Sequence, residues 1–305
     1  MKYSGIGGQA VMEGVMMKNG DKYAVAVRKP DQEIAVETSD YSGVVQNKKI
    51  KKLPILRGVF SFVESLTLGV KSLTYSASFF EEEEEKEKTS QKKEDFLMGA
   101  TVAVSIVMSV GIFMILPYGI SLLFRKVISS QWLIALLEGV LRLMIFLGYV
   151  AGISLMSDIK RVYMYHGAEH KCINCIEHGM DLTVENVRKS SRLHKRCGTS
   201  FLLIVMIVSI LFFMLIRVDS PALRLGLRLI LIPVIAGVSY EFIRLAGRSD
   251  NALVNLLSKP GLLLQKITTR EPDDAMIEVG IASVEAVFDW KTYVNEINQS
   301  DTHTS

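Results

Sequence analysis

The stretch Phe96-Leu-Met-Gly-Ala-Thr-Val-Ala-Val-Ser-Ile-Val-Met-Ser-Val-Gly-Ile-Phe-Met-Ile-Leu-Pro-Tyr-Gly-Ile-Ser-Leu-Leu-Phe124 contains no charged residue. It exceeds the roughly 20 apolar residues a helix needs to cross a bilayer. The run tolerates Pro117. Three further runs read the same way: Gln131–Met156, Gly198–Ile216 and Ala222–Ile243. The expected fold is an all-α polytopic membrane protein. It has about four transmembrane helices plus interfacial helices, and a small N-terminal β-hairpin element.

Charge orients these spans. The connections Arg125–Ser130 and Arg217–Pro221 are short and carry few basic residues. Lys160, Arg161, Lys171, Arg188, Lys189, Arg192, Lys195 and Arg196 crowd the long central loop. Lys48, Lys49, Lys51 and Lys52 precede the spans, and Arg244, Arg248 and Lys259 follow them. The positive-inside rule places the N-terminus, central loop and C-terminus in the cytoplasm of a multi-pass cell-membrane protein. Met1–Gly20 scatters glycines and polar residues instead of an apolar core, so no cleavable signal peptide is expected.

Composition narrows the partners. The chain has 305 residues, 49% hydrophobic, and a net charge of +3, too small to argue for nucleic acid. Membrane lipids are the expected surroundings. Three cysteines fit a reduced, cytoplasm-facing setting better than a disulfide framework.

The chain divides accordingly. Residues 1–53 form a cytoplasmic cap, in which Tyr23–Val27 and Glu33–Glu37 flank a Pro30-Asp31 turn and suggest a hairpin. Residues 54–95 hold an interfacial helix and a charged linker. Arg57, Glu64 and Lys71 recur every two helical turns, one polar stripe on a helix lying in the interface or against the bundle. Glu81–Lys93 is a solvated charge run. Residues 96–157 and 198–243 are the two pairs of spans, and 158–197 is the His/Cys loop between them. Residues 244–305 close the chain with an elbow at Pro260-Gly261 and an amphipathic helix near Asp274–Phe288. Ile277, Ile281, Val284 and Phe288 line one face of that helix, with Asp273 or Asp274 as its N-cap. Within the spans Glu138, Arg142 and Arg228 are costly charges, expected to pair and lock the second span to the fourth.

The chemistry concentrates in the central loop. In Tyr165-His-Gly-Ala-Glu-His-Lys171, His166 and His170 lie one helical turn apart, the spacing two imidazoles need to grip one ion. Glu169 stands beside them as a candidate general base, in the order of the inverted zinc-protease motif. Cys172-Ile-Asn-Cys175 and His194-Lys-Arg-Cys197 follow in the same loop, which thus holds four of the chain's five histidines. Two arrangements are open. In the catalytic one, His166 and His170 bind a metal with His194 or Cys197, and Glu169 activates water. In the structural one, Cys172, Cys175, His194 and Cys197 close a zinc knuckle. Glu241 is a distant further ligand candidate, weighed against an ion pair with Arg244.

The runs Gly7-Gly-Gln-Ala-Val-Met-Glu-Gly-Val-Met-Met17, His166-Gly-Ala-Glu-His-Lys171, Arg196-Cys-Gly-Thr-Ser-Phe201 and Thr268-Thr-Arg-Glu-Pro-Asp-Asp274 resemble the signature blocks of the YqhQ family. The resemblance covers nearly the whole chain. It implies a bacterial membrane protein regarded as a metal-dependent enzyme of unassigned reaction. His166, Glu169, His170 and Cys197 fall in the blocks, His194 lies just upstream of one, and Cys172 and Cys175 lie outside them. The acidic residues of Thr268–Asp274 can orient the histidines or merely cap a helix, and Glu13 can face the same site. The expected function is a membrane-bound metal-dependent hydrolase, with zinc as cofactor and a peptide or lipid substrate near the cytoplasmic interface. The alternative is a non-catalytic scaffold or regulator with a structural zinc site.

Overall fold

The structure is a computed structural model that describes residues 3–41, 43, 45, 53–80, 91–216, 218, 220–249 and 251–302. Three helices are long and apolar enough to cross a membrane: Phe96–Lys126, Gln131–Ile153 and Ala222–Ala246. The first is composite. Helix α2 (Gln91–Val110) passes through a π-helical stretch, Gly111–Ile115, into α3 (Leu116–Leu123) and a 3₁₀ turn. Helix α4 is Gln131–Ile153 and α8 is Pro221–Ala246. The fourth apolar run forms α7 (Gly198–Met214), whose 17 residues place it at the short limit for spanning.

Charge is dealt with inside this bundle by pairing. Arg228 of α8 grips both oxygens of Glu138 on α4 at 2.5 and 2.7 Å. Arg142 donates to Glu138 Oε1 at 2.8 Å and to Ser209 of α7 at 3.2 Å. The expected lock is present, joining α4 to α8. Its extra strand is Arg142 Nε, which donates to the Phe113 carbonyl at 2.8 Å. Pro117, four residues further on, has no N–H to give that carbonyl. Both guanidiniums also lie over the Phe213 ring, at 5.0 and 5.1 Å.

The remaining elements build a second body. Four strands, β1 (Gly7–Val11), β2 (Gly14–Asn19), β3 (Lys22–Arg28) and β4 (Ile34–Asp40), form an antiparallel meander in sequence order. The expected hairpin is its second half, with Val25 opposite Glu37 and Val27 opposite Ala35. Alternation sorts the side chains. Val15, Met17, Ala24 and Ala26 join one core with Tyr165, Ala168 and Ile173 of α5 (Ser157–Glu177) and Ile277 and Val284 of α10 (Asp274–Val287). Val11, Met16, Tyr23, Val25 and Val27 meet Leu68 of α1 (Leu56–Ala77) on the other face. The N-terminal cap, central loop and C-terminal helices thus share one core. Short α6 (Val184–Lys189) and the last helix, α11 (Trp290–Thr302), flank it.

Helix α1 takes the packed one of its two expected settings: its polar stripe faces protein, with Arg57 paired with Glu241, Glu64 with Lys18, and Lys71 over the Tyr23 ring. Other expectations need amendment. Glu241 therefore has its ion pair with Arg57 rather than Arg244, and is no ligand. The elbow at Pro260-Gly261 is absent. Helix α9 (Ala252–Thr268) runs through it, and a Cβ on Gly261 would lie 2.6 Å from Ser200 Oγ, so the glycine serves close packing on α7. The charge run lies outside the described residues as far as Ser90, and its remainder belongs to α2. Lys48, Lys49, Lys51 and Lys52 also lie outside them. Asp273 caps α10 as expected, accepting from Met276 N at 2.8 Å.

The pairing at Glu138 makes a clear expectation. Glu138→Gln strands two arginines in an apolar setting and should destabilise the detergent-solubilised protein by on the order of 3 kcal/mol. Combining it with Arg228→Gln should recover part of that loss in thermal unfolding. Additive losses would show that the two groups are not coupled.

Candidate metal centre

Helix α5 carries the site. Its burial is unusual for so polar a sequence: every residue from Gly167 to Glu177 is buried. Polar side chains can lie there because they serve a neighbouring segment that lacks regular structure. Lys171 Nζ donates to the carbonyls of Arg188 and Ser190, each at 2.9 Å. Asn174 donates to Ser191 O at 2.6 Å and Leu193 O at 3.0 Å. His170 Nδ1 donates to Arg192 O at 2.7 Å. A helix side thus supplies the hydrogen bonds that secondary structure would otherwise provide.

His166 follows the same rule toward another segment, donating Nδ1 to Thr268 O at 2.8 Å. A carbonyl can only accept, so both rings have Nδ1 as donor and turn Nε2 toward each other's side. The approach of the second segment depends on Gly167, where a Cβ would lie 2.0 Å from Arg270 O. Any other residue would push that backbone away from His166.

Cys197 completes the group. It is the residue before the first turn of α7, where the helix dipole favours a thiolate. Its Sγ lies 3.2 Å from His166 Nε2 and 3.1 Å from Thr199 Oγ1. The ligand atoms of His166, His170 and Cys197 all fall within 4.8 Å of one another, the only such group among the described residues. Burial opposes charge on all three, but their mutual attraction outweighs it. The Cys197 thiol is pushed well below its ordinary value, His166 is pushed up to about 9, and His170 is raised. Two imidazole nitrogens and a thiolate, with the rings' other nitrogens fixed by carbonyls, are a donor set suited to a divalent ion such as zinc.

Glu169 is buried beside them. Its Oε2 stands 3.9 Å from His166 Nε2 and 4.0 Å from His170 Nε2, beyond hydrogen-bonding distance from either. Strand β1 passes directly against it: a Cβ on Gly8 would sit 2.9 Å from Glu169 Cγ.

The other expected residues go elsewhere. His194 Nε2 faces Glu177 Oε2 at 3.3 Å, which removes that nitrogen from the group. Of the two candidates for third ligand, the structure brings in Cys197. Cys172 and Cys175 are buried in the core shared by α5, α10 and the sheet, and Cys175 Sγ donates to Asp181 O at 3.4 Å. The knuckle is not assembled. Glu13 turns away to Arg161 and Tyr165. The acidic side chains of the Thr268–Asp274 block do not orient the histidines; Glu271 pairs with Lys171 and Arg192, and Asp274 with Arg188. A carbonyl of that block does so instead. Sequence reasoning missed Thr268 and Arg192 for this reason, since every residue has a carbonyl. Glu177 was also missed. It accepts from Ser4 N and Oγ at 2.9 and 2.7 Å and pairs with Arg196, anchoring the chain ahead of β1.

With the geometry in hand, comparison with known proteins gives the lineage. The family described as "Protein of unknown function (DUF1385)" matches residues 53–290. The chain belongs to the DUF1385 family. Within this family's reach fall α5, Cys197 and the Thr268 segment, while the β-sheet precedes it. The chain is also 37% identical over 306 residues to the "Uncharacterized protein YqhQ" of Bacillus subtilis (strain 168), covering 97% of this chain and 96% of the relative. No solved structure matches.

Two measurements follow from this geometry. Purified protein should bind zinc in a manner that His166→Ala, His170→Ala and Cys197→Ser each abolish, whereas Cys172→Ser and Cys175→Ser leave binding intact. Metal analysis after dialysis reads the difference. The second concerns Glu177. Burial alone would raise its pKa, but His194 and Arg196 overcome this and hold it down at about 2, against 4.5 ordinarily. A carboxyl depressed on folding stabilises above its unfolded pKa and loses that contribution as pH falls through its folded one. The stability gap between wild type and Glu177→Gln should therefore be full at pH 7 and shrink from about pH 4.5 toward 2.

Proposed function

We propose that the protein is a multi-pass membrane hydrolase that uses a divalent metal, zinc by preference, at His166, His170 and Cys197. The observation that carries this reading is the position of Glu169, one of whose oxygens is almost equidistant from both histidine Nε2 atoms and bonded to neither. A buried carboxylate so placed is available to a water beside the ligand group. A divalent ion held by His166, His170 and Cys197 would supply Lewis-acid polarisation of a water or of a substrate carbonyl or phosphoryl oxygen. Glu169 takes the proton of the attacking water and returns it to the leaving group. Thr268 and Arg192 hold the two rings in their ligating orientation. With Gly198–Met214 counted as a span, four spans return both termini to one side. The basic residues of the central region make that side the cytoplasm. The substrate then meets the site near the membrane's inner face.

A second reading is favoured by one distance. Cys197 Sγ at 3.2 Å from His166 Nε2 is also the geometry of a thiolate nucleophile with its imidazolium partner. The second imidazole, His170, favours the ion, since a nucleophile needs one histidine and a metal needs several ligands.

The test turns on Glu169→Gln, which keeps the shape of the side chain and removes the base. It should retain metal and fold while lowering the activity, or the cellular phenotype of a deletion rescue, by about 10²–10⁴-fold. His170→Ala should lose metal and function together. A fully functional, metal-replete Glu169→Gln protein would leave a scaffold with a structural ion as the reading. A Cys197→His protein that keeps metal and function would remove the nucleophile reading.

A further inference from the structure

Helix α9 is apolar on the side that the protein leaves uncovered. Packed on α7, α8 and α4, it buries Ser258, Gln265 and Thr268 beside Val254 and Leu264. Leu253, Leu256, Leu257, Leu263 and Ile267 are exposed. Lys259 and Lys266, also exposed, each stand three residues past one of these leucines. That spacing turns them about 60° round the helix, along one border of the apolar face. An apolar face bordered by lysines suits a helix lying in a membrane interface, with the ammonium groups at the level of the phosphates.

Lys266 and Ile267 also line a cavity of about 440 Å³, together with Ser154, Arg192, Arg270 and Glu271. Ser154 ends α4, one of the helices long and apolar enough to cross a membrane, and Leu155 and Met156 after it are exposed. The cavity thus lies where α4 leaves the apolar zone. Its lining holds three cations and one carboxylate, and that carboxylate is already taken: Glu271 pairs with Lys171 at 2.8 Å and Arg192 at 3.4 Å. Lys266 and Arg270 make no salt bridge among the described residues. Arg270 donates Nη2 to the Ser154 carbonyl at 3.2 Å, while its Nε is buried with no partner.

We propose that this cavity holds the headgroup phosphate of an anionic phospholipid, whose acyl chains lie along the exposed leucines of α9. Lys266 and Arg270 supply the uncommitted positive charge that the phosphate meets. A headgroup that carries its own cation is repelled by the same residues, so phosphatidylcholine is a poor occupant. The apolar face separates a lipid from a free phosphate ester, which gains nothing from it. Arg192 and Arg270 belong to the segments whose carbonyls hold His170 and His166, but none of His166, His170 and Cys197 lines the cavity. The site therefore needs no hydrolase chemistry and can be tested without touching the ion group.

The experiment titrates full-length protein in neutral detergent with dioleoyl phosphatidylglycerol or dioleoyl phosphatidylcholine and counts the retained lipid by native mass spectrometry. Phosphatidylglycerol should be held about tenfold more tightly than phosphatidylcholine. Lys266→Gln should weaken its binding about fivefold, the worth of one cation at a charged membrane surface, and the double variant with Arg270→Gln about 20-fold. Lys266 is exposed, so its replacement keeps the fold and decides the matter by itself. Arg244→Gln, which removes a cation outside the cavity, should leave binding unchanged. Equal retention of the two lipids, or full affinity in Lys266→Gln, overturns the proposal. Equal weakening by Arg244→Gln also overturns it, by reducing the effect to diffuse charge. Displacement of the lipid by glycerol 3-phosphate at matching concentration overturns it in favour of a soluble phosphate ester.

Discussion

An imidazole buried with its N–H unpaired costs about 1–3 kcal/mol, and α5 carries two one turn apart, His170 buried and His166 largely covered. That requirement organises the molecule outside the bundle. Each ring must find a carbonyl, and the carbonyls come from segments far off in sequence: Arg192 ahead of α7 and Thr268 at the end of α9. Satisfying the rings therefore fixes where α7 and α9 begin and end relative to α5. Lys171 and Asn174 extend the arrangement along the 188–193 segment. The ligand geometry and the docking of the body onto the bundle are consequences of the same hydrogen bonds.

Inside the bundle the constraint is the same, with a different currency. Two arginines and one glutamate are buried there, and they tie three helices together: Arg228 to both oxygens of Glu138, and Arg142 to Glu138 on its own helix and to Ser209 on α7. The Phe113 carbonyl, denied a donor by Pro117, is answered by Arg142. A proline that looks like a defect in the first apolar run thus becomes the point at which that helix is attached. The two bodies meet where α1 lies against both the sheet and α8, through Leu68 on one side and Arg57 with Glu241 on the other.

What could be read from the sequence was whatever depends on spacing within one element. The apolar runs, the one-turn separation of His166 and His170, the cap at Asp273 and the apolar face of α10 are all local patterns. The thiol at Cys197 could be named as a ligand candidate, but not chosen over His194. That choice depends on Glu177 claiming the His194 ring, a contact across the helix end. Cys172 and Cys175 looked like ligands by spacing, yet on a helix their burial depends on which neighbour covers them, and α10 covers them with apolar side chains. The first two strands escaped notice because Gly7, Gly8 and Gly14 are poor strand formers. Gly8 is there because Glu169 presses on it, a reason that no local pattern contains. The Pro260-Gly261 pair misled in the opposite direction, since a dipeptide that breaks helices locally was retained for the close approach of α7.

The composite first apolar helix is constrained very unevenly along its length. Beyond the π stretch it packs on α4, and Ser121 is fully buried. Before it, Val104, Ile106, Val107 and Met108 are each more than half exposed within the protein, so they face whatever surrounds it. Shape is specified in one half and only oiliness in the other. A gene drifting under selection for this fold has, from Leu97 to Met108, an alphabet reduced to apolar letters but otherwise free to be respelled. From Phe113 onward particular letters matter: Pro117 leaves the carbonyl that Arg142 takes, Tyr118 lies beneath Arg228, and Ser121 is fully buried.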